Sequence, residues 1–195
     1  MFKWAPNVIF SLIASMFFCM NSFAGDLTID DRSTGTIASN LGGKWRLFTD
    51  QVMGGVSSGS LQLDKYNGRD CLRMKGKVST DNNGGFVQMA LDLNASKPFD
   101  ATPYQGIELE VAGNNEEYNL HFRTSALWLP WQSYRSSFRA STKWSTVQIP
   151  FNQMKPYRTS RKFRKDSIKR IGLVAIGKNF EADLCLGSVK FYGNK

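Results

Sequence analysis

Apolar side chains recur at every second position through much of this chain. Ile107, Leu109 and Val111, for example, alternate with glutamates at positions 108 and 110. Successive side chains of a β-strand point to opposite faces, so this period of two predicts strands with one face in a core and one in water. The same alternation runs through the segments 72–78, 87–93, 118–123 and 147–151.

The rest of the chain is also typical of an all-β fold. Turn residues that tolerate a positive φ separate the predicted strands, as at Asn67-Gly68 and Asn82–Gly85. The segment Ile171–Ile176 is apolar on both faces, so we expect it in the middle of a sheet. With about seven to nine short strands and no convincing amphipathic helix, the sequence predicts a single antiparallel β-sandwich or jelly roll.

The N-terminus has the pattern of a removable signal peptide. Lys3 supplies a positive start, an apolar run covers residues 8–20, and small residues precede a predicted cleavage site after Ala24. That run is shorter than the roughly 20 residues that span a bilayer. A retained membrane anchor, or a lipid on Cys19, is the alternative. We therefore divide the chain into a signal peptide (1–24), a loosely held leader (25–44) and the β-sandwich domain (45–195), and expect a periplasmic or secreted protein without a transmembrane segment.

Two cysteines remain after signal removal. Cys71 and Cys185 form an even pair in an oxidising compartment, which favours a disulfide. Two separate thiols in neighbouring strands are the alternative. The only histidine is His121, which excludes most zinc sites and the usual Ser-His-Asp arrangement, so we expect no cofactor and no bound metal. The segment 81–85 carries oxygen ligands but lacks the further acid of an EF-hand loop, so we expect a hairpin turn there.

Positive charge is concentrated in one segment. The formal net charge is +9 and becomes +8 without Lys3, while residues 155–170 hold eight bases against the single acid Asp166. Such a segment attracts an anionic envelope surface, an acidic polysaccharide or an acidic protein. Export makes nucleic acid an unexpected partner. The candidate contact residues are Arg161, Lys162, Arg164 and Lys165; a solvated loop that only aids solubility is the alternative.

The most distinctive motif lies between residues 45 and 57. It resembles the signature of the complex I intermediate-associated protein 30 family, a tryptophan followed by Asp-x-Val-Met-Gly-Gly-x-Ser, here Trp45, Asp50, Val52, Met53, Gly54, Gly55 and Ser57. Further matches follow in order over residues 45–191, at Gly84-Gly85-Phe86, Tyr104-x-Gly106-Ile107, Tyr118-x-Leu120-x-Phe122, Ile149-Pro150-Phe151, Ile171-Gly172 and Leu184-x-Leu186.

The resemblance implies a galactose-binding-like jelly roll, a fold shared with many carbohydrate-binding modules. It also implies a role as an assembly factor for respiratory complex I on the matrix or cytoplasmic side of the membrane. The export signal argues against a direct role of that kind, since it would put the protein on the opposite side. One departure from the family pattern is the turn at residues 113–117, which lacks the usual Gly-Asp-Gly-Arg sequence.

Two groups of residues are candidate binding sites beside the basic segment. In the signature turn, adjacent glycines would let backbone amides approach a ligand that an acid orients. The residues concerned are Asp50, Gln51, Gly54, Gly55 and Ser57. A tight turn in which Asp50 caps backbone amides and Met53 fills the core is the alternative.

The second group is aromatic. Trp128, Trp131 and Tyr134 lie within seven residues and could stack on sugar rings or contact a partner. They could instead fold back over one end of the sandwich. His121 and Arg123, on the preceding strand, are predicted to point away from the core and to form a polar and aromatic cleft with the tryptophans.

No set of residues supports catalysis. Glu108 and Glu110 share a strand face and could in principle form a glycosidase pair, but alternating carboxylates are ordinary on a solvent-facing strand. We therefore expect no enzyme, but an exported binding module that engages a protein partner as an assembly or stabilising factor. The alternative is a carbohydrate-binding module of the cell envelope that uses the aromatic group.

Overall fold

The computed structural model describes Met1 and residues 25–94 and 96–193, which form twelve β-strands. In chain order they are β1 (Leu27–Asp30), β2 (Trp45–Thr49), β3 (Ser58–Tyr66), β4 (Arg69–Val78), β5 (Phe86–Asp92), β6 (Gly106–Gly113), β7 (Glu116–Thr124), β8 (Ser133–Ala140), β9 (Ser145–Pro150), β10 (Lys155–Tyr157), β11 (Ile168–Ile176) and β12 (Phe180–Tyr192). Helical structure within this part of the chain is confined to single 3-10 turns.

The strands form two six-stranded sheets. The first has the order β3-β4-β12-β6-β9, with β1 also paired to β12, and the second has the order β10-β8-β7-β11-β5-β2. All pairings are antiparallel. The predicted antiparallel β-sandwich is therefore confirmed.

Alternation along the strands builds the core. The inward positions of both sheets carry large apolar side chains, and the largest that are almost fully buried are aromatic: Trp45, Tyr118, Tyr134, Phe122 and Phe191. Burial of such side chains is worth about 1.5–3 kcal/mol each. The two sheets therefore stabilise each other through their inner faces, which leaves their outer faces for other roles.

The apolar segment Ile171–Ile176 lies where the sequence predicts. It belongs to β11, which pairs with β7 on one side and β5 on the other. Even Val174, which points outward, is only 1% exposed. The Asn67-Gly68 turn is also confirmed: it joins β3 to β4, with φ values of 48° and 78°.

The segment 81–85 differs from the predicted hairpin turn. It connects β4 of the first sheet to β5 of the second, and it contains a 3-10 turn at Asp81–Asn83. Because its flanking strands belong to different sheets, the segment crosses from one layer of the sandwich to the other.

The structure also corrects the leader predicted for residues 25–44. Leu27–Asp30 form β1, which pairs with β12, and Ile29 is fully buried. The buried carboxylate of Asp30 accepts hydrogen bonds from Trp45 Nε1 (2.6 Å) and Arg32 Nε (3.0 Å). The sandwich therefore begins at residue 27 rather than 45. Residues 2–24, which hold most of the predicted signal peptide, lie outside the described part of the chain.

Candidate functional site

The signature turn closes around the carboxylate of Asp50. This residue begins the 3-10 turn Asp50–Met53 after β2, and it is fully buried. One carboxylate oxygen accepts a hydrogen bond from the amide of Ser57 (2.9 Å). The other accepts from the Ser57 hydroxyl and from the amides of Gly85 and Phe86. A buried carboxylate with these donors is satisfied by the protein itself.

The pKa of Asp50 follows from the same contacts. Burial raises the pKa of this carboxyl, but the hydrogen bonds from Ser57, Gly85 and Phe86 outweigh that effect and hold it below its usual value. The group is therefore ionised at neutral pH, and its charge serves to hold three segments of backbone together.

The two adjacent glycines of the motif are required for different physical reasons. Gly54 ends the 3-10 turn in a left-handed conformation, with φ at 87°. Gly55 instead packs against Asp50, where a Cβ would collide with the carboxylate carbon, and Gly84 meets the same carboxylate from the other side. The motif therefore encodes a close approach of backbone to one buried acid.

The structure thus corrects the ligand role expected for the turn, because its polar groups bond to one another. Gln51 completes the set, since its Nε2 donates to the carbonyl oxygen of Ser57 (3.0 Å). The residues placed in this closed arrangement are Asp50, Gln51, Gly54, Gly55 and Ser57. Met53 does not fill the core, as the alternative had it, but is 55% exposed.

The aromatic group divides between surface and core. Trp128 and Trp131 lie in the loop between β7 and β8 and are 83% and 44% exposed. Tyr134 lies inside β8 and is fully buried, with its ring 5.1 Å from that of Phe163 and its hydroxyl donating to the carbonyl oxygen of Lys162 (3.0 Å). Tyr134 therefore cannot stack on a ligand, which corrects its predicted role.

His121 lies on the outer face of the second sheet, as predicted. It stands between Gly172 of β11 and Arg135 of β8, and it is only 8% exposed. Its Nε2 has no hydrogen-bond partner among the described residues. Burial, and then the charge of Arg135, lowers the pKa of His121 to about 3, so the imidazole is neutral at physiological pH.

Arg123 joins this face to the tryptophan loop. Its Nη1 donates to the carbonyl oxygen of Pro130 (2.6 Å). Arg123 and Trp128, together with Asp92 and Arg170, line a cleft of about 310 Å³. The structure therefore brings Trp128 to the same face as His121 and Arg123.

Several residues of this face were not predicted from the sequence. The guanidinium carbon of Arg135 lies 3.4 Å from the ring centroid of Tyr157 on β10. Asp92 pairs with both Arg46 and Arg170. The alternation within β8 was the available signal: if Tyr134 points inward, its neighbour Arg135 must point outward.

The basic segment is partly structured and borders the same face. Gln132 of the tryptophan loop donates to the carbonyl oxygen of Arg158 (3.1 Å). Arg161 and Lys162 have exposed side chains. Arg164 pairs with Asp166, and Lys165 Nζ donates to the carbonyl oxygen of Tyr104 (2.9 Å), so these two cations are already engaged.

The two cysteines form a cross-link within the first sheet. Cys71 of β4 and Cys185 of β12 lie on adjacent strands with their Cα atoms 5.4 Å apart, and the structure joins them in a disulfide. Both residues are buried. Of the two arrangements that the sequence left open, the structure contains the bridge.

Neither a metal cluster nor a membrane span is found in the described residues. No group of three or more His, Cys, Asp or Glu side chains there could hold a metal ion. In the same residues, no helix has the length and apolar character that crossing a bilayer requires.

This is a β-sandwich with a polar and aromatic outer face on one sheet, and comparison with known proteins agrees with that class. The sequence profile of the complex I intermediate-associated protein 30 family matches residues 38–186. The chain therefore belongs to that family. No curated protein sequence shows significant similarity to it.

Solved structures that resemble the chain include several carbohydrate-binding modules and an exo-β-agarase. The family 11 module of the cellulase Lic26A-Cel5E of Clostridium thermocellum has a TM-score of 0.70 at 15% identity, over 88% of this chain and 96% of that module. A complex of a family 11 module from the same organism with a β-1,3-1,4-mixed-linked tetrasaccharide has a TM-score of 0.69 at 15% identity, over 87% and 96%. The family 30 module of the cellulase Cel9D-Cel44B of C. thermocellum has a TM-score of 0.59 at 17% identity, over 86% and 96%. At these identities the likeness shows the galactose-binding-like jelly-roll fold alone.

Proposed function

We propose that this protein is a non-catalytic carbohydrate-binding module whose site is the outer face of the second sheet beside the β7–β8 loop. One observation carries the proposal: Trp128 is 83% exposed next to a cleft of about 310 Å³ that contains Arg123. Exposed indole rings offer a flat apolar surface to a sugar ring, while nearby polar groups fix its orientation. The related modules, one of them bound to a tetrasaccharide, support the same class of ligand.

The carboxylates that could suggest a glycosidase are engaged elsewhere. Glu108, on the outer face of the first sheet, pairs with Lys190 (3.0 Å) and accepts a hydrogen bond from Gln148 (2.6 Å). Glu110 pairs with Arg69 (2.6 Å). These contacts support a structural role for both acids.

A glycan array followed by calorimetric titration tests the proposal. Trp128→Ala should weaken binding by about tenfold or more, because the ring would supply much of the contact area. Val52→Ala is the matched control, since Val52 is an apolar side chain that is 71% exposed in the signature turn. Equal affinities of the wild type and the Trp128 variant would exclude this loop as the platform.

Binding of a protein partner is the second candidate function. Membership of a family named for complex I intermediates favours it, as do the exposed cations Arg161 and Lys162. The double variant Arg161→Glu and Lys162→Glu should then lose a partner that co-purifies from the envelope fraction. The control is Lys75→Glu with Lys77→Glu, two exposed lysines on β4. Retention of every partner by the first pair would rule out this segment as the contact.

Export remains a proposal that the disulfide supports. A bridge between Cys71 and Cys185 is expected in an oxidising compartment and is rare in the cytosol. Placement in the periplasm or outside the cell would also expose the outer face to envelope glycans.

A further inference from the structure

The outer face of the second sheet has more positive than negative charge around His121. Asp92 is paired twice, with Arg46 and with Arg170 Nε (2.6 Å). Arg123 and Arg135 have no carboxylate partner in the part of the chain that the structure describes. Arg123 donates to a backbone carbonyl, and Arg135 Nε donates to the Ser133 hydroxyl (2.8 Å).

Both unpaired guanidinium groups are also partly removed from water. Arg123 and Arg135 are half-buried, and burial lowers the pKa of each. The charge of Asp92 acts on Arg123 across the shared cleft, but Asp92 forms its ion pairs with Arg46 and Arg170. A half-buried cation without an ion pair of its own costs free energy that an anionic ligand can recover. Guanidinium groups recognise carboxylate and sulfate groups through paired, charge-assisted hydrogen bonds.

The positions of these arginines suit a single ligand. Arg135 lies opposite His121, and Arg123 is two residues further along β7 on the same face. Diagonal neighbours of this kind are about 7 Å apart across adjacent strands, a distance that neighbouring groups of one oligosaccharide can span.

We infer that the face binds an acidic glycan, whose carboxylate or sulfate group pairs with Arg123 and Arg135 while Trp128 stacks on a sugar ring. This inference rests on the proposed function, because it names the class of glycan for the same site. It differs from that proposal in requiring negative charge on the ligand. A neutral glycan would leave both guanidinium groups unpaired.

The test compares a charged glycan with its neutral ester and with two other anionic ligands. The full-length mature protein is titrated calorimetrically with four ligands. They are tetragalacturonate, its neutral methyl ester, a tetrasaccharide whose only charged groups are sulfates, and polyglutamate. Tetragalacturonate or the sulfated sugar should bind at least about tenfold more tightly than the methyl ester, and the difference between the two acidic sugars identifies the preferred group. Arg123→Gln and Arg135→Gln should each reduce that preference, whereas Lys75→Gln, which removes an exposed charge from the first sheet, should not.

The outcomes separate this inference from the proposed function. Equal or tighter binding of the methyl ester would overturn the requirement for charge while leaving glycan binding intact. Failure of all three sugars to bind would overturn the inference, and the absence of any bound glycan on the array would overturn the proposed function as well. Equal affinity for polyglutamate, or an equal loss in Lys75→Gln, would show general attraction of anions and would also overturn the inference. Circular dichroism of each variant establishes that it is folded.

Discussion

At the scale of single residues, Asp50 is the residue that holds the signature turn together. Asp50→Asn removes the charge and turns an amide donor toward the donors of Ser57 and Gly85. We expect the free energy of unfolding to fall by roughly 2–4 kcal/mol, since a buried hydrogen-bonded carboxylate is lost. Urea denaturation measures the change, and Asp81→Asn, an exposed acid nearby, is the control. A loss no larger than that of the control would contradict the structural role.

The same carboxylate should make stability depend on pH. Because the folded-state pKa of Asp50 is held below its usual value, its contribution is present above the unfolded-state pKa, about 3.9. The contribution is lost as the pH falls through the lower folded-state value. The stability difference between the wild type and Asp50→Asn should therefore be constant from pH 7 to 5 and shrink below about pH 4. Denaturation at a series of pH values would refute this if the difference grew on acidification.

Residue chemistry alone predicted only part of this arrangement. Period-two alternation put His121 and Arg123 on the outer face, and the structure agrees. The prediction for Tyr134 was wrong, because it rested on the closeness of three aromatic residues in the sequence and did not take the alternation within β8 into account. The donors to Asp50 at Gly85 and Phe86 come from 35 and 36 residues away, so no local pattern could identify them.

At the scale of elements, removal of an aromatic ring should destabilise the fold when the ring lies in β8 and leave stability almost unchanged when it lies in the β7–β8 loop. Tyr134→Ala should lower the free energy of unfolding by about 3–5 kcal/mol, since it empties a space in the core. Trp128→Ala should change it by less than about 0.5 kcal/mol, because that ring faces water. Thermal or urea unfolding of both variants measures this. Similar losses for the two would contradict the division into surface and core.

The disulfide should be a major stabilising element of the first sheet. It closes a loop of 114 residues, for which chain entropy predicts about 4–5 kcal/mol. Cys71→Ser with Cys185→Ser should therefore unfold at a markedly lower urea concentration, and thiol titration of the unfolded wild type should detect no free thiol from this pair before reduction. Two free thiols, or an unchanged midpoint after reduction, would contradict the bridge.

The strands that sequence analysis described were those with apolar alternation on one face. Edge strands were harder, because β3 (Ser58–Tyr66) carries few apolar side chains and Leu63 is 44% exposed even in the folded protein. β1 was taken for a leader because its four residues are too few to show a period. Its place beside β12 depends on a pairing across the whole chain, between Leu27 and Phe191.

At the scale of the whole molecule, export is the simplest property to test. Mass spectrometry of the protein isolated from its native cells should show an N-terminus at Gly25, with the first 24 residues absent. Cleavage there leaves β1, which starts at Leu27, intact in the sandwich. An intact Met1 on protein found in the cytosol would exclude the proposed compartment and, with it, envelope glycans as ligands.

The fold could be predicted as a whole, whereas the candidate site could be predicted only in part. Hydrophobic periodicity is repeated in many strands, so errors in single strands leave the two-sheet architecture unchanged. A site depends instead on a few side chains from separate strands, here Arg123, Arg135 and Trp128, whose proximity follows from strand order. That order, β8-β7-β11-β5 in the second sheet, cannot be predicted from any local sequence pattern.

The central claim is that a glycan binds on the outer face of the second sheet. Its most direct test is a ¹H–¹⁵N NMR titration with tetragalacturonate and with a neutral tetrasaccharide. The account predicts that amides around His121 and Arg123 on β7, around Arg135 on β8, and the indole of Trp128 shift together and saturate. Shifts confined to the first sheet, or none at millimolar concentrations of either sugar, would contradict it.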